Sequence, residues 1–153
     1  MDLERIIELR TDNDLTQTDL GNIVDNKKST VSNWENGNEI IPIIKLFKIA
    51  EYFNVSIDYL LKLSNVRRCF WLKKVINKNT VGNRIKEIRK DNNLTQRGLA
   101  KMLNTSHSTL SAYENGKTLI LSAFAYQICY NYGVSFDWLL GLSDKKINNT
   151  VEK

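Results

Sequence analysis

Apolar residues recur along this chain three and four positions apart, which is the spacing of an α-helix, and no stretch alternates long enough to predict a β-sheet. Residues 1–64 are predicted to form five short helices. Thr16 is the N-cap of the second helix, with Asp19 as its capping-box partner, and Asp25-Asn26 ends that helix with residues that tolerate the left-handed conformation. Gly37 closes the third helix, Pro42 opens the fourth and Ser56 caps the fifth.

The same pattern occurs twice. Placing residue i over residue i+79 aligns 5–64 with 84–143 without a gap, and 25 of the 60 positions are identical. We therefore expect an all-α protein made of two domains, 1–64 and 81–144, joined by a connector at 65–80. A polar tail at 145–153 is expected to be disordered.

Composition excludes several classes of protein. With 42% apolar and 25% charged residues and no apolar run approaching a membrane span, the chain is expected to be a cytoplasmic globular protein without membrane contact. Its two cysteines lie 60 positions apart, and it has one histidine, so neither a disulfide framework nor a zinc site is expected. No glycine-rich phosphate loop or nucleophile with a base at motif spacing is present, so neither a cofactor nor enzymatic activity is predicted.

The second and third helices of each copy match the requirements of a helix-turn-helix. Such a motif needs a small residue where the helices cross, a turn residue that takes a positive φ, and apolar residues that dock the second helix. These roles fall to Gly21 and Ala100, to Asp25 and Asn104, and to Val31 with Trp34 or Leu110 with Tyr113. Burial explains the apolar positions, but it does not explain why five polar residues recur: Gln17, Ser29, Thr30, Ser32 and Asn36 in copy one and Gln96, Ser108, Thr109, Ser111 and Asn115 in copy two.

The motifs resemble the Cro and phage-repressor-like (XRE-like) helix-turn-helix proteins. The resemblance rests on L-T-Q at 15–17 and 94–96, on S-T-hydrophobic-S at 29–32 and 108–111, and on E-N-G at 35–37 and 114–116. It covers about 120 of the 153 residues and implies two five-helix lambda-repressor-like domains that set their third helix into the DNA major groove. Departures include Asp25 and Asn104 at the family's turn glycine and Leu121 in place of the loop proline.

Candidate DNA contacts divide into those that position the protein and those that read bases. The resemblance implies phosphate contacts by Gln17 and Gln96, which otherwise are solvated helix starts. Asn36 and Asn115 are either phosphate contacts or parts of a helix cap. The exposed positions expected to read bases are Lys28, Ser29, Ser32 and Asn33 in copy one, and His107, Ser108, Ser111 and Ala112 in copy two.

The chemistry of these positions differs between the copies. Lys28 can donate to guanine O6 and N7, and Asn33 can pair with adenine, each contact giving roughly 1–3 kcal/mol of discrimination. His107 is either a donor to guanine or phosphate or a solvated turn residue. Since Ala112 replaces Asn33 and His107 replaces Lys28, we expect an asymmetric operator.

In the fold that the resemblance implies, Arg10 meets Glu35 and Arg89 meets Glu114 as partly buried structural ion pairs. Each pair would tie the recognition helix to the first helix of its domain. Removing one partner is expected to cost a few kcal/mol, because the other charge stays buried. We therefore expect Glu35→Ala to unfold the first domain more than it alters specificity.

The net charge of +5 is unevenly distributed: −4 in residues 1–64, +5 in 65–80, +2 in 81–144 and +2 in 145–153. Fully extended, the 16-residue connector reaches about 50 Å, beyond the roughly 34 Å between adjacent major-groove half-sites. The expected function is a transcriptional regulator, a repressor, that reads double-stranded DNA with both domains. The alternative is that only the second domain binds DNA, while the acidic first domain binds a protein partner or another copy, as in antitoxins.

Overall fold

The computed structural model describes residues 1–72 and 74–147. Two compact units form within the chain, the first from Met1 to Phe70 and the second beginning at Trp71. Across the described residues the regular secondary structure is helical, as the apolar spacing predicted, with two isolated β-bridges besides. The N-terminal domain contains α1 (Glu4–Asp12), α2 (Gln17–Ile23), α3 (Lys28–Glu35), α4 (Ile43–Phe53) and α5 (Ile57–Leu60). The C-terminal domain contains α6 (Lys78–Asp91), α7 (Gln96–Met102), α8 (His107–Glu114), α9 (Ser122–Tyr132) and α10 (Phe136–Leu139).

The helix boundaries follow from the capping residues. Thr16 accepts from the backbone N–H of Asp19, and the Asp19 carboxylate accepts from the backbone N–H of Thr16 at 2.7 Å. Pro42 stands at the N-cap of α4, and the Ser56 hydroxyl accepts from Tyr59 N at the start of α5. The predicted capping box and helix starts are thus present in the structure.

Left-handed backbone conformations recur at the repeat spacing of 79. The described part of the chain has ten residues with positive φ, and they form five pairs. The pairs are Asp14 with Asn93, Asp25 with Asn104, Gly37 with Gly116, Asn54 with Gly133, and Lys62 with Gly141. Asparagine, aspartate and glycine occupy nine of the ten positions because they adopt this conformation at least cost.

The C-terminal end of each domain folds back onto the helix start before it. Ser56 N donates to Arg67 O at 3.0 Å and a bridge joins Val55 to Arg68, while Ser135 N donates to Lys146 O at 2.7 Å and a bridge joins Val134 to Ile147. The first domain therefore extends past the predicted end at 64, and residues 145–147 of the predicted tail are part of the second domain. Residues 148–153 lie outside the described residues.

The stretch predicted as a connector is divided between the two units. Trp71 Nε1 donates to Asp137 Oδ1 at 2.7 Å, and Leu72 N donates to Leu142 O at 3.0 Å. Helix α6 begins at Lys78, with Asn77 as its N-cap. Residues 71 and 72 are therefore bonded within the second unit and are not part of a free connector. Lys73, one of the five basic residues counted there, lies outside the described residues.

Candidate nucleic-acid interface

The turn between the second and third helices has the geometry that its residue types predicted. Asp25 and Asn104 both have a φ of 54°. Asn26 N donates to Gly21 O at 2.8 Å, and Thr105 N donates to Ala100 O at 2.9 Å. A Cβ on Gly21 would lie 2.6 Å from Asn26 O, so the small residue is required by a close approach of backbone.

The recognition helices, α3 and α8, dock through the predicted apolar positions. Val31 and Trp34 of α3 are buried, as are Leu110 and Tyr113 of α8. Burial raises the pKa of the Tyr113 hydroxyl. Because each helix inserts its apolar side, its opposite side carries the polar positions expected to face DNA.

A shared polar network fastens the recognition helix of the N-terminal domain to α1 and α2. Arg10 Nε donates to Glu35 Oε1 at 2.7 Å, and Arg10 Nη2 donates to Glu35 Oε2 at 3.1 Å. Gln17 Nε2 donates to the same Oε2 at 2.7 Å. The Glu35 side chain is 6% exposed, so this carboxylate is held in the protein and not presented to solvent. The proposed phosphate ligand Gln17 therefore also belongs to the frame of the domain.

The C-terminal domain repeats the network and adds one residue. Arg89 Nε and Nη2 donate to Glu114 at 2.6 and 3.1 Å, and Gln96 Nε2 donates to Glu114 Oε2 at 2.8 Å. The Glu114 side chain is 0% exposed. His107 Nε2 lies 2.9 Å from Gln96 Oε1, so the network continues to the first residue of α8.

The positions expected to read bases are accessible to different degrees. Lys28, Ser29, His107 and Ser108 are exposed, whereas Ser32, Asn33, Ser111 and Ala112 are half-buried. Asn33 Nδ2 donates to Glu39 Oε1 at 2.8 Å, which orients its amide. Glu39 did not figure among the predicted site residues, since nothing in its sequence position links it to Asn33.

Asn36 and Asn115 lie at the C-cap positions of α3 and α8 and are exposed. Asn36 Nδ2 donates to Ser32 Oγ, and Asn115 Nδ2 donates to Ser111 Oγ, both at 3.2 Å. These side chains thus reach back along their own helix to a serine that is itself a base-reading candidate. Whether the asparagine acts as a cap or as a phosphate contact, its amide lies beside the serine hydroxyl.

The electrostatics of the two motifs differ in sign. Residues 16–39 carry two basic and four acidic side chains, a net of −2, whereas residues 95–118 carry three basic and one acidic, a net of +2. The second copy gains three exposed cations, Arg97, Lys101 and Lys117, at positions that are uncharged in the first. It also has uncharged residues at the positions of Lys27 and Lys28 and of three acids, Asp19, Asp25 and Glu39. The sequence prediction did not include these three cations among the site residues, although alignment of the two copies shows that the first copy has no cation at their positions.

Among the described residues, no helix combines the length and apolar character that crossing a membrane requires.

Comparisons with known proteins agree with this geometry. Residues 6–60 match the helix-turn-helix family, and residues 82–145 match the helix-turn-helix domain family. The chain is 35% identical over 68 residues to the antitoxin PezA of Streptococcus pneumoniae serotype 4 (strain ATCC BAA-334 / TIGR4), a match that covers 44% of this chain. The chain spans only 42% of the length of that relative.

Helix-turn-helix families of this type are DNA-binding regulators. Both halves of the chain match them, with the turn, the docked recognition helix and the buried Arg–Glu pair present in each. The chain is therefore a tandem pair of XRE-like helix-turn-helix domains.

Proposed function

We propose that this DNA-binding regulator is a transcriptional repressor that reads an asymmetric double-stranded site with two different recognition helices. One observation carries the proposal: the same polar network holds both recognition helices, but the exposed residues on these helices differ. The Arg–Glu–Gln network recurs with distances that agree within 0.1 Å, yet the exposed residues at the start of the recognition helix are Lys28 and His107.

Each reader has a distinct chemical preference. Lys28 is an exposed cation suited to guanine O6 and N7. Asn33, with Nδ2 committed to Glu39, offers Oδ1 as an acceptor for the N6 amino group of adenine. Ala112 can only make an apolar contact, as with a thymine methyl group. The serines Ser29, Ser32, Ser108 and Ser111 complete the surface in both domains.

Phosphate contacts position the two domains in this proposal. Gln17 and Gln96 each donate one amide proton to a buried glutamate, and the second proton on Nε2 remains for a phosphate oxygen. Asn36 and Asn115 contribute at the other end of each recognition helix. These uncharged contacts fix the register of the protein on DNA and carry no base information.

The asymmetric-site proposal is tested by making the readers alike. DNA bound by the full chain is selected from a random pool, and the selection is repeated with a His107→Lys/Ala112→Asn double variant. The variant should select a site in which the second half matches the first. An unchanged selected sequence would show that α8 does not read bases.

A second candidate function is favoured by the charge of the two motifs. In this alternative only the C-terminal domain binds DNA, and the acidic N-terminal domain binds a protein partner or a second copy of the chain. The similarity to an antitoxin, whose name denotes neutralisation of a toxin, supports such a partner. The net of −2 on residues 16–39 opposes approach to phosphates.

Salt dependence separates the two candidates. Affinity for the selected site is measured by fluorescence anisotropy between 50 and 200 mM salt, a range in which each phosphate neutralised by a basic residue adds about −0.9 to the logarithmic slope. If both domains bind DNA, Lys28→Gln and Lys101→Gln should each weaken binding. Lys62→Gln is the matched control, because that ammonium is already paired with Asp2 and Glu4. An effect of Lys101→Gln alone would favour the second candidate.

A further inference from the structure

The polar network of the C-terminal domain reaches a titratable side chain that the N-terminal network lacks. His107 is exposed, begins α8 and contacts Gln96 through Nε2. The aligned position of the N-terminal domain is Lys28, which carries an amine in place of the imidazole. The chain has one histidine, so any imidazole chemistry belongs to this position.

The hydrogen-bond chain determines which nitrogen of His107 carries a proton. An ionised carboxylate only accepts, so Gln96 must present its amide nitrogen to Glu114 and its Oε1 to the imidazole. Because that oxygen also only accepts, His107 Nε2 must be the donor. Nδ1 is then the atom that gains or loses a proton, acting as an acceptor when the ring is neutral and as a donor when it is charged.

Two exposed cations and one ion pair lie on the elements that pack around the imidazole. Arg97 and Lys101 of α7 line the same surface depression as His107. Arg89 of α6 is bound to Glu114, so this pair brings no net charge from the interior. Arg97 and Lys101 therefore leave this surface positive, which favours contact with phosphates.

In the proposed complex, DNA brings negative charge close to the ring. Phosphates attracted by Arg97 and Lys101 favour a cation there, since an opposite charge nearby stabilises the charged form. The purine edges and thymine O4 in the major groove offer acceptors, which a neutral Nδ1 cannot use and a protonated Nδ1 can. Binding and protonation therefore favour each other.

We propose that the C-terminal domain takes up one proton at His107 Nδ1 when it binds DNA, with Gln96 as the residue that positions the imidazole. The proposal rests on the proposed DNA-binding function and adds to it a dependence on pH. The N-terminal domain has no equivalent group, so only one half of the site is read in a pH-sensitive way.

Nuclear magnetic resonance of the free protein tests the proton assignment without DNA. Long-range ¹H–¹⁵N correlations of the single imidazole should show the Nε2–H tautomer for the neutral ring. Gln96→Ala should convert this to a mixture of tautomers. A predominant Nδ1–H tautomer in the unmodified protein would overturn the assignment.

Binding measurements test the proton uptake. The affinity of the full chain for the double-stranded oligonucleotide that it selects is measured by anisotropy from pH 5.5 to 7.5 at constant salt. Affinity should fall as the pH rises, by at most about tenfold per pH unit, which is the limit set by uptake of one proton. His107→Gln and His107→Lys should both give flat profiles, the first because the side chain stays neutral and the second because it stays charged.

Two results would overturn the inference, and they are distinguishable. Equal pH profiles for the unmodified protein and His107→Gln would refute proton uptake while leaving DNA binding intact. Absence of binding to any DNA at every pH would refute the proposed function and the inference together.

Discussion

Replacing Glu114 by alanine should unfold the C-terminal domain while the N-terminal domain stays folded. Glu114 is a fully buried carboxylate that receives three hydrogen bonds, two from Arg89 and one from Gln96. Arg89 is itself only 13% exposed at its side chain, so the variant leaves a largely buried guanidinium without its counter-charge.

The magnitude follows from this burial. Removing one partner of a buried ion pair costs about 3–5 kcal/mol, and complete burial with three donors places Glu114 in the upper part of that range. A domain of roughly 75 residues has a total stability of about 4–11 kcal/mol at 0.05–0.15 kcal/mol per residue. The expected loss is thus comparable to the whole stability at the lower end of that range and is a substantial part of it at the upper end.

Tryptophan resonances allow each domain to be followed separately in the intact chain. Trp34 is buried in the N-terminal domain and Trp138 in the C-terminal domain. Urea titrations monitored at both indole N–H signals should show that Glu114→Ala shifts the Trp138 transition and leaves that of Trp34 in place. Glu35→Ala should give the reverse pattern, with a similar loss.

An exposed ion pair of the same domain provides the control. Glu87 lies 2.6 Å from Lys146 Nζ, but its side chain is 49% exposed, so Glu87→Ala should cost less than about 1 kcal/mol. The reasoning about burial would be refuted if Glu114→Ala cost no more than Glu87→Ala, or if both indole signals shifted equally.

Three further predictions concern local structure. Gly21→Ala should destabilise the N-terminal domain by about 1–3 kcal/mol, because its Cβ would lie 2.6 Å from Asn26 O. Ala100→Gly should cost the C-terminal domain only about 1 kcal/mol, through helix propensity. Equal losses of stability in thermal unfolding would refute the close-approach argument. The fragment 1–70 should be more stable to urea than 1–64 by about 1–3 kcal/mol, since it keeps the bonds of Ser56 N to Arg67 O and Ser56 Oγ to Val66 O, and fragments of equal stability would contradict this. The hydroxyl and then the backbone N–H of Thr16 hold the pKa of Asp19 below its ordinary value, so their contribution is present above about pH 4 and lost as the pH falls through the folded pKa. Thr16→Ala removes the hydroxyl and keeps the backbone N–H, so its acid titration should show a smaller component, and an unaltered acid profile would count against it.

Much of the fold was predictable because local chemistry determines it. The capping box at Thr16 and Asp19, the left-handed turn at Asp25, and the burial of Val31 each depend on residue type and helical period, which a sequence displays directly. The repeat strengthened each prediction, since a capping or turn position that occurs twice at one spacing is seldom coincidental.

The ends of the domains were not predictable for an equally physical reason. Residues 65–68 and 144–147 occupy equivalent places but share no identical residue. Their attachment is made by the backbone, through Ser56 N to Arg67 O and Ser135 N to Lys146 O, and such bonds place little constraint on side chains. The strap formed by Trp71 and Leu72 has no counterpart in the first copy, so the repeat gave no indication of it.

The sequence allowed candidate site positions to be proposed, but it did not reveal the network that joins some of them. The recurrence of Gln17 and Gln96 indicated a shared role, yet the bond of Gln96 to His107 depends on side-chain orientation across two helices. Likewise, the contact of Asn33 with Glu39 joins a helix to the loop that follows it. Tertiary contacts of this kind leave no periodic signal in a single sequence.

The buried Arg–Glu–Gln network occurs twice in this chain, so the two recognition helices can change independently as the sequence evolves. In a symmetric dimer every substitution in the reading helix appears in both subunits at once, so both halves of the target must change together. Here a change at Lys28 leaves His107 untouched. Under the proposed reading of DNA by both domains, each half can therefore accumulate substitutions separately, while the other keeps the protein on its existing target.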